Sequence, residues 1–243
     1  MPLTLKGKTA VVTGSSRGIG KAIAERLAAD GAAVVFNYTR NSKSAEDAVN
    51  AIVSRDGRAI SVQADVSKRA EVKHLFDEAE KAFGKIDIVI ANAGVYFNKP
   101  LAESTEEDYD YVFNINTKGV FFTLREAANR LQDGGRIIAV SSGGTQMPFP
   151  NHSLYVGSKG AIEQFVRSLS RELGDRKITV NILSPGFTET DMFPPAFQEF
   201  ASNMSPFKRV GNTAEVADVA AFLAGEQARW ITGQNIQAGG GVV

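Results

Sequence analysis

The stretch "SLYVGSK", Ser153 to Lys159, sets a phenol and an ammonium four residues apart with small residues between them. On a helix that spacing brings both side chains to one side, a turn apart. A free tyrosine has a pKa of about 10, too high for a ready base at neutral pH. A neighbouring ammonium stabilises the phenolate and lowers that value. The pair reads as a proton-transfer unit, with Tyr155 exchanging a proton with a carbonyl or alcohol oxygen and Lys159 tuning it. Alone, such spacing is common on solvated helices, so the reactants must be sought elsewhere in the chain.

The first predicted strand, "TAVVT", runs into "GSSRGIGKAIAERLAADG". Gly14, Gly18 and Gly20 follow the strand, with Ser16, Arg17 and Ile19 among them, and a helix continues to about Asp30. Glycines let the backbone turn sharply and approach a pyrophosphate at a helix N-terminus, where free N–H groups point outward. The spacing is G-x-x-x-G-x-G rather than the usual G-x-G-x-x-G. After the second strand, an acidic residue usually holds the ribose hydroxyls of NAD. Here the chain reads "AVVFNYTRNS", with Asn37 in the acid's place, then Tyr38 and Arg40. No carboxylate opposes a 2′-phosphate, and Arg17 and Arg40 can pair with one. NADP(H) is therefore expected over NAD(H), the competing reading being two solvated surface charges. Replacing Asn37 with Asp and removing the charge of Arg40 is expected to switch the preference.

These groups need a scaffold. "TAVVT", "AVVFN", "AISVQ", "IDIVIA", "GRIIAVS", "ITVNIL" and "NIQA" read as buried strands, separated by helices of period near 3.6. One helix carries Val72, Leu75, Phe76, Ala79 and Phe83 on one face, with Ser67 placed to cap its start and Gly84 to end it. The alternation predicts an α/β fold: a doubly wound, Rossmann-type parallel sheet of seven strands between two helical layers, in one domain over residues 1–243. Gly186 to Phe207, with Pro194, Pro195 and Pro206, is the least regular stretch and reads as a lid.

Composition excludes several alternatives. The 243 residues hold 27 basic and 27 acidic side chains, so no basic face for nucleic acid is implied. There is no cysteine, and His74 and His152 are the two imidazoles, so neither disulfides nor a metal site is expected. No apolar run approaches a membrane span, and the first residues lack a signal peptide's apolar stretch. A cytoplasmic location is the expectation.

The glycine loop, "NAG" at Asn92 to Gly94, "YVGSK", "SPGFTETDM" and the closing "ITGQNIQAGGG" together resemble the short-chain dehydrogenase/reductase family over essentially the whole chain. The resemblance implies hydride transfer between a nicotinamide and a ketone or secondary alcohol. It places the family's hydroxyl partner of the tyrosine at Ser142, although Ser141 and Ser142 also suit a plain strand-end turn. It places the asparagine of a water relay to the lysine at Asn116, with Asn114 the alternative. It gives Lys159 a second role on the cofactor ribose. It sets Asp65 and Val66 beside the adenine, Asn92, Ala93 and Gly94 along the cofactor, and Pro185, Gly186, Thr188 and Thr190 at the nicotinamide amide.

Val95, Tyr96, Met147, Phe149, Phe187, Met192, Phe193 and Phe197 form a candidate pocket wall, apolar and aromatic, suited to a ring-bearing ketone. His152 either lines this pocket or lies at the surface. "VFNINTKGVFF" and "YVGSKGAIEQF" are especially similar to the fungal naphthol reductase branch. The 3-oxoacyl carrier-protein reductases are similar too, but their "ITRD" after "NAG" is replaced here by "VYFNKP". A protein that senses NADP(H) without turnover is a further alternative, though such relatives typically lose the tyrosine or lysine.

The helix through "YDYVFNINTKGVFFTLREAA" is apolar nearly all round, with Val112, Ile115, Gly119 and Phe122 as one stripe and Phe113, Val120, Phe121 and Leu124 on other faces. The next long helix has a core stripe of Ile162, Phe165, Leu169 and Leu173, and small residues Gly157, Gly160, Ala161 and Ser168. Surplus apolar surface of this kind marks an interface, and a homotetramer is expected.

Overall fold

β-Branched runs apolar on both faces make a sheet that must be covered on both sides. The computed structural model describes residues 4–243; the first three residues of the expected domain lie outside the described residues. Its strands are β1 (Thr9–Val12), β2 (Ala33–Tyr38), β3 (Ala59–Gln63), β4 (Ile86–Ala91), β5 (Leu131–Val140), β6 (Thr179–Pro185) and β7 (Asn235–Ala238). They form one seven-stranded sheet in the order β3-β2-β1-β4-β5-β6-β7, every pairing parallel. The chain winds outward from β1 through β2 to β3, then returns to place β4 on the other side of β1. Ligands of open α/β sheets bind at that reversal, beyond the carboxyl ends of the strands.

The helices are α1 (Gly18–Ala29), α2 (Ser42–Val53), α3 (Arg69–Phe83), α4 (Glu106–Phe113), α5 (Val120–Arg130), α6 (Ser153–Glu172), α7 (Gln198–Met204) and α8 (Thr213–Ala224). Alternation along each strand builds two cores. Val11, Val35, Val89 and Ile137 pack with α3, α5 and α6, while Val12, Val34, Ile90 and Ile138 pack with α1, α2 and α8.

Gly84 ends α3 as expected, but Ser67 does not cap its start. Asp65 takes Ser67 instead: its carboxylate accepts from the Ser67 hydroxyl at 2.7 Å and the Ser67 amide at 3.0 Å. The Ser67 hydroxyl is thereby engaged by the aspartate two residues ahead instead of by the helix N–H groups a cap would serve. Lys68 stands at the cap without a side-chain bond, and the Glu71 carboxylate reaches back to the Asp65 amide at 2.6 Å.

The helix from Glu106 to Arg130 is interrupted by a π-helical turn over Asn114–Gly119. The extra residue of such a turn rotates the faces beyond it. The expected stripe therefore breaks: Val112 and Gly119 are buried, Ile115 and Phe122 are half-buried, and the core face continues through Val120, Leu124 and Ala127. On α6, Ile162 and Leu173 are buried, but Val166 occupies the core where Phe165 was expected. Phe165 faces outward, edge-on to exposed Phe121 with ring centroids 6.4 Å apart.

Candidate active site

The loop after β1 is drawn tight by its own backbone and by side chains behind it. The Asn92 amide donates to the Thr13 and Gly14 carbonyls at 2.9 and 3.1 Å. Thr13 returns two bonds, its hydroxyl accepting from the Asn92 and Ala93 amides at 3.0 and 3.1 Å. A Cβ on Gly20 would stand 2.3 Å from the Asn92 amide nitrogen and 2.5 Å from the Gly14 carbonyl oxygen, so no larger residue fits. The first turn of α1 carries no acidic residue, and Arg17 at its cap makes no side-chain bond to the helix. Its first N–H groups are thus left for an anion. These features fit a dinucleotide pyrophosphate.

Ser16, Arg17, Ile19, Tyr38, Arg40, Asp65, Val66, Asn92, Ala93 and Gly94 all line one cleft of about 1070 Å³ with Gly14, Gly18 and Gly20. Pro185, Gly186, Thr188 and Thr190 line it from the far side. Arg40 makes no ion pair among the described residues, whereas Arg17 lies 3.8 Å from Asp191 of the lid.

Asn37 is a correction: it does not line the cleft. It is buried on the face of β2 shared with Val35, and Tyr38, one residue on, points to the cleft instead. Its amide oxygen accepts from the Gly14 N–H at 3.0 Å, and its nitrogen donates to the Ala64 carbonyl at 2.9 Å and the Val62 carbonyl at 3.4 Å. Asn37 ties the glycine loop to the ends of β2 and β3 and has no face toward a ribose.

Tyr155 and Lys159 lie in the first two turns of α6, both on the cleft, opposite Ser142 at the end of β5. The Ser142 oxygen accepts from the Gly144 amide at 3.1 Å, which leaves its own hydrogen to be donated toward Tyr155 in the cleft. The expectation for Tyr155 needs revision. Burial pushes its pKa up, a hydrogen bond with Ser142 pulls the other way, and Tyr96 adds a further upward push. The Lys159 ammonium donates to the Val140 carbonyl at 2.9 Å. Burial also lowers the Lys159 pKa to about 8. A phenol held protonated suits a proton donor rather than a resting base.

Asn116, in the π-helical turn, is fully buried and stands behind the cleft wall. Its side chain accepts from the Val95 amide at 2.7 Å and donates to the Val95 carbonyl at 2.9 Å and to Ser158 Oγ at 3.0 Å. Its side-chain amide braces the segment after β4. Asn114, the alternative, accepts from exposed Lys118. A Cβ on Gly94 would stand 3.2 Å from both Asn116 Oδ1 and Lys159 Nζ, so the three residues converge.

Val95, Met147, Phe149, Phe187 and Phe193 line the cleft, as do Tyr96, Met192 and Phe197. Phe149, Phe187 and Phe200 contact one another with centroids 5.8 to 6.3 Å apart, and Phe193 and Phe197 extend the cluster. The lid is less irregular than the sequence suggests, since α7 presents Phe200 to this cluster. The run Phe193, Phe197, Phe200 has helical spacing and could have flagged it.

His152 also lines the cleft, in contact with Tyr96. Glu163 is a residue the sequence reading lacked. It is buried, and one carboxylate oxygen accepts from Ser141 Oγ at 2.9 Å and Thr145 Oγ1 at 2.6 Å, holding both sides of Ser142. Its position four residues after Lys159 was the available signal.

Comparison with known proteins identifies the family. Residues 14–243 match the family model described as enoyl-(acyl carrier protein) reductase. A short-chain dehydrogenase/reductase of Pestalotiopsis microspora is 45% identical, covering 99% of this chain and 97% of its own. A hydroxynaphthalene reductase-like protein of Metarhizium brunneum is 43% identical, covering 100% and 97%. The crystal structure of the angucycline C-6 ketoreductase LanV with bound NADP superposes with a TM-score of 0.94 at 42% identity, covering 98% of this chain and 96% of that one. No helix among the described residues is long and apolar enough to cross a membrane. With a doubly wound sheet, a glycine-rich loop and a Ser142, Tyr155 and Lys159 cluster in one cleft, the chain belongs to the short-chain dehydrogenase/reductase family of oxidoreductases.

Proposed function

We propose that the chain is an NADP(H)-dependent carbonyl reductase of apolar, ring-bearing ketones. The observation that carries this reading is one continuous cleft, with a phosphate-binding loop at one end and an aromatic wall around Tyr155 and Ser142 at the other. The reading is supported by relatives described as hydroxynaphthalene reductase-like and as a ketoreductase with bound NADP. When bound, the nicotinamide supplies the hydride. The glycine loop and the N-terminus of α1 hold its pyrophosphate, Arg17 and Arg40 its 2′-phosphate, and Lys159 its ribose. Ser142 and Tyr155 both donate to the substrate oxygen, and Tyr155 passes its proton to the developing alkoxide. The burial that raises the Tyr155 pKa keeps that proton in place until it is needed. The test is loss of reduced-nicotinamide absorbance with a panel of aromatic ketones, aliphatic ketones and 3-oxoacyl thioesters. Aromatic ketones are expected to give the highest kcat/KM; saturable NADPH binding with no ketone consumed would support the sensing alternative.

Cofactor choice rests on Arg40 and Arg17 once Asn37 is removed from it. Arg40→Ala is expected to lower the ratio of kcat/KM for NADPH over NADH by about tenfold or more, since charge-assisted bonds contribute about 1.5–3 kcal/mol. An unchanged ratio would put the phosphate elsewhere.

The oligomer is also proposed. Tyr109, Tyr111, Phe121 and Phe165 are exposed on neighbouring helices, at 47%, 52%, 46% and 37%, and Gly160 has open space where a side chain would be. A second copy of the chain is the occupant that would cover such a face, with two pairs making a tetramer. Light scattering at micromolar concentration is expected to show a multiple of 26 kDa, and Phe121→Asp to split it. A 26 kDa particle for the unaltered chain refutes the oligomer.

A further inference from the structure

We propose that Tyr96, oriented by His152, is an acceptor for a hydroxyl group on the substrate, so that the preferred substrate is a hydroxylated aromatic ketone. The inference rests on the carbonyl reductase reading above and narrows it.

Tyr96 lies in a stretch without helix or strand between β4 and the short turn at Leu101, so no regular element sets its direction. Bonds to the segment before α6 set it instead. The Lys99 amide donates to the Asn151 carbonyl at 2.8 Å, and the Tyr96 oxygen lies 2.6 Å from His152 Nε2. The other imidazole nitrogen, Nδ1, is 2.8 Å from the Pro150 carbonyl. A carbonyl only accepts, so in the neutral ring Nδ1 carries the hydrogen and Nε2 offers its lone pair. Asn98 Nδ2 also approaches Nε2, at 3.2 Å, but the Tyr96 hydroxyl is nearer at 2.6 Å and donates to that lone pair, which leaves its oxygen as an acceptor. Asn98 Nδ2 approaches that oxygen at 3.4 Å, a long bond that covers it poorly.

This acceptor sits, with His152 and Asn98 beside it, on a wall that also carries Phe149, Phe187, Phe193, Met147 and Val95. The Tyr96 and Tyr155 rings are neighbours, with centroids 5.4 Å apart and edge to face. A rigid ring system whose carbonyl meets Tyr155 therefore passes Tyr96 as well. A phenylalanine would serve packing there equally well, and would remove this acceptor from the wall. A site that offers a hydrogen-bonding partner discriminates strongly against an analogue lacking the matching group. The polarity is specific: Tyr96 takes a donor, so a hydroxyl fits and its methyl ether does not.

The experiment compares alpha-tetralone, its ring-hydroxylated isomers and the matching methoxy compounds, with NADPH. In the unaltered protein at least one hydroxy isomer is expected to exceed both the plain ketone and its methyl ether in kcat/KM by about tenfold. In Tyr96→Phe both ratios are expected to fall toward one. In His152→Ala the Tyr96 hydrogen is released, and the methoxy compound is expected to gain relative to the hydroxy compound, a reversal that loss of packing would not produce. Ratios within one variant are insensitive to the fraction folded. If the unaltered protein reduces plain, hydroxylated and methoxy ketones equally, or if Tyr96→Phe leaves the ratios unchanged, this inference is overturned while carbonyl reduction stands. If it reduces no aromatic ketone, the carbonyl reductase reading fails and this inference with it.

Discussion

Tyr155→Phe is expected to lower turnover of a reducible ketone by ~10²–10⁴-fold, the usual contribution of a positioned acid, while dinucleotide affinity stays nearly unchanged. The ring would keep its contact with Tyr96 and its place in the wall of the cleft. What disappears is the hydroxyl, and with it the hydrogen bond to Ser142 and the transferable proton. Lys159→Ala should behave differently, harming both rate and dinucleotide affinity, because the ammonium sits where it can serve both and also anchors to the Val140 carbonyl. Titrating NADPH by its fluorescence and following ketone reduction in the same preparations separates the two outcomes. Near-normal turnover in Tyr155→Phe would remove this residue as the proton donor.

Asn37→Asp is expected to unfold the protein more readily rather than to switch its cofactor. The new carboxylate could still accept from the Gly14 amide, but it would lose the donor to the Ala64 and Val62 carbonyls and face them with negative charge. Leaving buried acceptors unpaired costs about 1–3 kcal/mol, and burying an unpaired charge adds to it. A total of about 2–4 kcal/mol corresponds to a melting temperature lower by roughly 5–15 °C for a chain of this size. Burial raises the pKa of the new carboxyl above its unfolded value, so the loss is small at acid pH and deepens as pH rises through the carboxyl range. Thermal melts of both proteins at acid and neutral pH check this. Equal stability together with a shift toward NADH would restore Asn37 to the ribose site.

The sheet is legible in the sequence because strands covered on both faces must be apolar throughout, which "IDIVIA" and "AVVFN" are. The proton-transfer pair is legible because helical spacing is local. Three features escape for physical reasons. Asn37 and Tyr38 both stand at the end of β2, and only the strand's alternation decides which one faces the cleft. The π-helical turn at Asn114–Gly119 adds one residue without any marker in composition, so the faces of α5 are read a step out of phase. Tyr96 and His152 are 56 residues apart, and no periodicity connects a loop residue to the segment before a distant helix. The raised pKa of Tyr155 escapes as well, because burial outweighs the hydrogen bond from Ser142 and burial is a property of the fold.

The lid segment and the strand ends divide the labour of the cleft. Ser142 follows β5 directly, and Tyr155 and Lys159 belong to α6, so the elements that hold them are packed into the core. Phe187, Phe193, Phe197 and Phe200 lie on the chain between β6 and α8, and three of them come from a span in which Ala201 is the lone buried residue of α7. Descendants of one ancestor could therefore exchange this short stretch, a few aromatic residues at a time, and acquire new appetites without relearning the reaction. For an engineer, that stretch is the place to randomise when a different product is wanted.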